Sequence, residues 1–303
     1  MPARVLMLFV FCGAGFLRAE EAAPLFKRAS PEGHLQSRDL NEASGMAASP
    51  SDNRLLWLLN DSGCSAELFL TETDGGKRGR VSVEGVKNVD WEDLASFELG
   101  GKPFLIISDT GDNASKRKSC MLYVVPEPRL PAEGVDLEGA VKPAWTIRFR
   151  YEDGPRDCES LAVDVKAGKI LLLSKRTNPP MLYELPLKPE GKAEQVARKI
   201  GQLSKTLPMG FPPIPYGTQP TGMDISADGT MATVVTYAGV FVFPRGEGET
   251  WAQAFAREPQ ELDSHQSRQA EAIAFSRDGK TIWVTAEGVK APVIPYRRVE
   301  EKP

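Results

Sequence analysis

The sequence predicts an all-β chain folded as a five-bladed β-propeller, and three features carry that expectation. One unit recurs five times, at periods of roughly 50 to 65 residues that are typical of propeller blades. Each recurrence joins a small-residue segment to an apolar run through a turn rich in Gly, Asp or Asn. Each then adds a third segment with a proline near its end, a residue that suits a strand terminus and disrupts a helix interior.

The opening segments are "NEASGMAAS" around Glu42, "DWEDLASFE" around Glu92, "DCESLAVDV" around Glu159, "QPTGMDISA" around Thr221 and "QAEAIAFSR" around Glu271. The turns "SPSDNR", "LGGK", "KAGK", "SADGT" and "SRDGK" follow, supplying the positive φ that tight hairpins need. Next come "LLWLLND", "FLIISD", "ILLLSK", "ATVVTY" and "TIWVTAE". Short apolar runs bounded by turns fit strands buried on both faces. Third strands are read at "AELFLTE", "MLYVVPE", "MLYELPL", "GVFVFPR" and "PVIPYRR", and fourth strands at "GRVSVEGV", "PAWTIRFRY", "EQVARKIGQ" and "WAQAFAREP". The fifth unit has no fourth strand of its own. The segment from Pro24 to Leu40 is therefore expected to return and complete the last blade, which would leave no open edge. Six blades are the alternative, if residues 126–150 or 186–219 hold a degenerate one. The Pro-rich stretch "LSKTLPMGFPPIPYGTQP" reads as a surface loop, either a flap over one mouth or a spacer.

The chain has 303 residues, 41% hydrophobic and 26% charged, which places it with globular proteins. A net charge of −4 provides no basic field for a phosphate backbone, so no nucleic-acid partner is expected. The N-terminus pairs Arg4 with an apolar run from Val5 to Phe16 and places Ala19 before Glu20. That order is a secretory signal over residues 1–19, too short to span a bilayer. Phe11 before Cys12 argues against a lipoprotein site. The mature chain is expected to be secreted or periplasmic, a monomer without a transmembrane segment, and one propeller domain over residues 24–303. Cys64, Cys120 and Cys158 would permit one disulfide with one thiol left over, the pairing being open. Neither His34 nor His265 has a soft ligand nearby in sequence, which argues against zinc. His265, in "DSHQSRQ", reads as an exposed loop residue.

In a propeller the first strand of each blade lines the axis and the second runs antiparallel beside it. The start of one and the end of the other then share a mouth. Glu42 and Asp61, Glu92 and Asp109, Glu159 and Lys175, Thr221 and Tyr237, and Glu271 and Glu287 are sixteen to nineteen positions apart. All ten should crowd one opening, where the carboxylates would repel unless protonated or neutralised. A hard divalent cation is the economical remedy. Calcium, with six to eight oxygen ligands in flexible geometry, fits best, held by Glu42, Glu92, Glu159 and Glu271. The competing reading pairs these glutamates with Arg156, Lys175, Arg176 or Arg268 and implies no activity. In "DTGDNASKR", Asp109, Asp112 and Asn113 have part of a calcium-loop spacing but lack the rest of the EF-hand pattern, and an Asx-rich turn is the simpler expectation.

Taken together, "EASGMAASPSDNRLLWLLNDSG", "DWEDLA", "SDTGDN", "DCESLAVD", "KILLLSKR", "TGMDISADGTMATVVTY" and "AEAIAFSRDGKTIWVTAEG" resemble a family of secreted bacterial β-propeller proteins related to the esterase-like phytases. The likeness spans roughly residues 40–290. More widely, the chain is similar to calcium-dependent propellers of the gluconolactonase and paraoxonase type and to calcium-activated nucleotidases. The resemblance implies hydrolysis of a lactone, ester or phosphoester, although neither the Asn-rich lactonase ligand set nor a nucleotidase motif is present. On this reading the ion polarises the scissile group and Asp61 or Asp109 activates water. Lys175, Arg176 and Tyr237 stand where other blades place acids, and would hold an anionic ligand. A non-catalytic propeller binding a small molecule or protein is the alternative, and a carboxylate glycosidase a third. No G-x-S-x-G is present, and Trp57 and Trp283 lie inside apolar strands, as core residues do.

Overall fold

The structure is a computed structural model that describes residues 24–191, 193–204, 207–208 and 215–300. The segment read from sequence as a secretory signal therefore lies outside the described residues, as do Lys205, Thr206 and residues 209–214 of the Pro-rich stretch. Strands dominate. Two short ones open the described residues, β1 (Phe26–Arg28) and β2 (Gly33–His34). The first unit is β3 (Ala43–Ala48), β4 (Leu55–Asn60), β5 (Glu67–Glu72) and β6 (Lys77–Val83). The second is β7 (Trp91–Leu99), β8 (Lys102–Asp109), β9 (Cys120–Pro126) and, after the short β10 (Ala140–Val141), β11 (Trp145–Tyr151). The third is β12 (Cys158–Asp164), β13 (Lys169–Ser174), β14 (Met181–Pro186) and β15 (Gln195–Gln202). The fourth is β16 (Pro220–Ile225), β17 (Met231–Thr236), β18 (Val240–Pro244), a helix α1 (Trp251–Phe255) and β19 (Gln260–Glu261). The last is β20 (Ala270–Phe275), β21 (Thr281–Ala286) and β22 (Pro292–Arg298).

Neighbouring strands within each unit pair antiparallel, so the sheets form a propeller-like arrangement. The inner strands neighbour one another in a cycle: β3 lies beside β7, β7 beside β12, β12 beside β16, β16 beside β20, and β20 again beside β3. At the periphery β11 pairs in parallel with β15, which joins the second and third units into one eight-stranded sheet. β10 adds to the outer edge of β6, so residues 127–144 extend the first unit. The N-terminal strand behaves as the repeat requires: β1 runs antiparallel to β22, with Phe26 opposite Arg298.

The apolar runs that define the second strands are buried along their length, with β4, β17 and β21 buried at every position. Outer strands β6 and β11 alternate buried and exposed residues, having one face in water. Trp57, Trp91, Phe97, Phe149 and Phe241 are among the large side chains sealed between sheets. Each contributes about 1.5–3 kcal/mol by leaving water. The axis itself is packed backbone against backbone. A Cβ on Gly45 would fall 2.6 Å from the Leu94 nitrogen, and one on Gly222 would fall 2.3 Å from the Glu271 carbonyl.

Two local expectations are corrected. "WAQAF" is helical, because Thr250 caps it reciprocally with Gln253 and its alanines favour helix, while β19 supplies the unit's fourth strand. His265 is buried: Nε2 donates to the Thr236 carbonyl at 3.0 Å and Nδ1 accepts the Ser267 N–H at 3.0 Å. The three described cysteines are free thiols. Among the described residues no helix is long and apolar enough to cross a membrane.

Candidate metal centre

Each inner strand opens on a register skip, and these bulges decide which side chains reach the axis. The skips fall between Ala43 and Gly45, Trp91 and Asp93, Cys158 and Leu161, Pro220 and Gly222, and Ala270 and Ala272. The extra residue is Ser44, Glu92, Thr221 or Glu271, and in the third unit Glu159 or Ser160. A bulge removes its residue from the ladder and re-aims the side chain. Two positions earlier stand Glu42, Asp90, Asp157, Gln219 and Gln269. The carbonyls of Glu42, Asp157 and Gln269 accept the N–H groups of Asp61, Lys175 and Glu287 at 2.9, 3.0 and 3.1 Å. Those three residues follow the second strands, so both tiers meet at one mouth.

This register corrects the alignment of Glu42 with Glu92. Ser44 occupies the Glu92 position, and Glu42 is the counterpart of Asp90 and Asp157. The sequence held the signal in "SGM" at Ser44, which matches "TGM" at Thr221, and in the repeated D-x-E of "DWE" and "DCE". Asp90 and Asp157 stand outside the five-fold glutamate pattern, because only two of the five units carry an aspartate two positions before the bulge.

Glu92 is the centre of the cluster. Its carboxylate groups with those of Asp61 and Asp90 on one side, and with those of Asp157 and Glu159 on the other. The oxygens in each triad lie within 4.8 Å of one another, and either triad could hold a metal ion. Glu92 is only 3% exposed and, among the described residues, has no hydrogen bond or ion pair. Gly111 makes room for it: a Cβ there would lie 2.1 Å from Glu92 Oε1 and 2.5 Å from Asp90 Oδ2. The donors are all oxygens, so the set suits a hard cation.

The two halves differ in charge balance. On the far side the Lys175 ammonium contacts Glu159, and Arg176 Nε lies 2.6 Å from Asp157 Oδ2. Lys175 Nζ is also 3.3 Å from the Tyr237 hydroxyl, which donates to Glu271 Oε1 at 2.5 Å. Arg176, at a left-handed φ of 59°, stacks on Tyr216 with 4.8 Å between guanidinium and ring centre. On the near side, no lysine or arginine among the described residues pairs with Asp61, Asp90 or Glu92.

Of the residues singled out in the sequence, Asp61 lies with Glu92 in one triad and Glu159 with Glu92 in the other, while Glu271 is linked to Lys175 through the Tyr237 hydroxyl. Glu42 is half-buried and belongs to neither triad. Asp109 also lies outside them: it is fully buried and its Oδ1 takes a bond from Arg117 Nη2 at 2.7 Å. Asp112 closes the "DTGDN" turn by accepting the N–H groups of Lys116 and Arg117 at 2.8 and 2.7 Å.

Electrostatics follow from crowding. Burial holds the Glu92 carboxyl well above its ordinary range, and the charges of Glu159, Asp61, Asp90 and Asp157 add to this. Asp61 and Asp90 are raised chiefly by burial, against hydrogen bonds from Ser62. Burial pushes Glu159 and Glu271 up to about 8, opposed by Lys175 at Glu159 and by the Tyr237 bond at Glu271. Such a cluster favours whatever brings positive charge.

No family model and no curated protein matches the chain. Among solved structures it is similar to a gluconolactonase from Xanthomonas campestris, described as important in glucose secondary metabolic pathways. That comparison has 10% identity, covers 91% of this chain and 94% of that one, and gives a TM-score of 0.48.

Proposed function

We propose that the chain is an extracytoplasmic five-bladed propeller that holds a calcium ion at its acidic mouth and hydrolyses a lactone, ester or phosphoester there. The observation that carries this reading is Glu92, a buried carboxylate without a partner, gathered with Asp61 and Asp90. The cyclic contact of the inner strands supports five blades, and the apolar run at residues 5–16 supports export. Asp61, Asp90 and Glu92 would hold the ion with water completing its shell; oxygens arriving from two blades suit calcium's flexible coordination. The bound ion would supply Lewis acidity toward the ester or phosphoryl oxygen.

The remaining roles belong to the chain's own groups. Asp61, half-buried beside Glu92, accepts a proton from the attacking water. Lys175, fixed against Glu159 and the Tyr237 hydroxyl, presents donors with Arg176 to an oxygen-rich ligand, and Tyr237, whose proton is committed to Glu271, orients Lys175 there. A non-catalytic ligand-binding propeller is the second reading, favoured by the fact that Lys175 and Arg176 are already paired with Glu159 and Asp157.

Chelator-stripped protein titrated with calcium, then screened over lactones, aryl esters and phosphoesters, separates the two. Chelator-sensitive turnover that is lost in Glu92→Gln is the expected result. Calcium binding without turnover would favour the ligand-binding propeller, and no calcium binding would remove the centre altogether.

A further inference from the structure

Glu92 stands between two flanks of the cluster, and one register position, that of Asp61 and Lys175, recurs on both. β7, which carries it, has β3 on one flank and β12 on the other. Asp61 follows the second strand of the first unit and Lys175 that of the third, and the carbonyls of Glu42 and Asp157 hold their N–H groups alike, at 2.9 and 3.0 Å. One repeated backbone position thus carries a carboxylate on one flank of Glu92 and an ammonium on the other.

We propose that Lys175 is a tethered cation: it fills the half-site bounded by Glu92, Asp157 and Glu159, and so restricts the centre to a single divalent ion on the Asp61 flank. This rests on the cation reading above and adds its stoichiometry and the residue that sets it. Lys175 is placed for the task. Its side chain is 4% exposed, its ammonium touches the Glu159 carboxylate and lies 3.3 Å from the Tyr237 hydroxyl, and it sits 5.0 Å from the centre of that ring. An ammonium is a compact point charge, the closest a side chain comes to a bound ion. Arg176 neutralises Asp157 from outside, so the far half sets two cations against Asp157 and Glu159, while among the described residues Asp61, Asp90 and Glu92 make no ion pair and feel Lys175 and Arg117 only through space. Without Lys175, the far half would present Glu92 and Glu159 as an uncompensated pair like the near one.

The test is calcium stoichiometry in chelator-stripped protein, read by calorimetry with calcium chloride, for the wild type, Lys175→Gln and Asp61→Lys. One binding event in the wild type, two in Lys175→Gln and none in Asp61→Lys, with Asp61→Lys melting higher than wild type in chelator, would support the proposal. If Lys175→Gln folds only with calcium present, two bound ions per chain after desalting support it and one contradicts it. A single wild-type-like event in Lys175→Gln, continued binding by Asp61→Lys, or two events in the wild type would overturn it while leaving the cation reading intact. A wild type that binds none overturns both.

Discussion

Glu92 and Asp93 are adjacent in sequence and buried to 3% and 0% exposure, yet their carboxylates are treated in opposite ways. Asp93 points into the axis and accepts backbone N–H groups from Leu94 at 2.8 Å, Leu161 at 2.7 Å and Met223 at 3.2 Å, stapling three inner strands. Asp224 does the same on a smaller scale, taking Ile225 and Phe275 at 2.8 Å each. Glu92, one residue toward the mouth, finds no donor among the described residues. The same chemical group is therefore structural where strands converge and offer N–H groups, and unresolved where they diverge. A buried carboxylate left in that condition needs a proton or a cation.

The largest effect that would probe this contrast is expected from Asp93→Ala. It strands three buried N–H groups at about 1–3 kcal/mol each, so urea denaturation should show a loss of about 3–9 kcal/mol. A loss within about 0.5 kcal/mol would break the comparison. Glu92→Gln should act in the other direction, removing like-charge repulsion and stabilising the chelated protein by about 1–2 kcal/mol. The same variant should melt at one temperature with or without calcium. Gly111→Ala places a methyl group where Glu92 and Asp90 lie, and should cost about 1–3 kcal/mol while weakening calcium affinity roughly tenfold. Calorimetry of that variant sharpens the claim that the carboxylates must remain close.

The pH profile probes the same contrast without a substitution. Glu159 and Glu271 are raised from 4.5 to about 8, so in chelator their contribution to stability is complete below 4.5 and is lost as pH rises through about 8. Calcium should flatten that loss. His265 has the opposite sign: burial holds its imidazole below 6.5, so its contribution is present above 6.5 and is lost on acidification. Melting temperatures from pH 5 to 9, with and without chelator, check both. An alkaline limb unaffected by calcium would place the titrating groups elsewhere.

Much of the sheet framework could be read from the residues because its signals are local. "LLWLLND" between two turns can hardly be anything but a buried strand, and the missing last strand called for the N-terminal segment now seen as β1 on β22. The site was less legible because it depends on bulges, which shift register by one residue without marking composition. Glu42 looked equivalent to Glu92 by spacing, and only the Ala43 to Gly45 skip shows Ser44 there. Asp109 looked like a mouth residue, but the extra residue in "DTGDN" gives that position to Gly111 and pairs Asp109 with Arg117. His265 sat in a polar stretch, and its burial comes from tertiary bonds that no local pattern records.

The central claim is that the mouth's uncompensated half, and not its lysine-filled half, takes the ion. A crystal structure of protein soaked with terbium as a calcium surrogate, phased for anomalous signal, tests it directly. The account predicts one strong peak bounded by Asp61, Asp90 and Glu92, with Lys175 still seated on Glu159. A peak between Asp157 and Glu159, or no peak at this mouth, would contradict it.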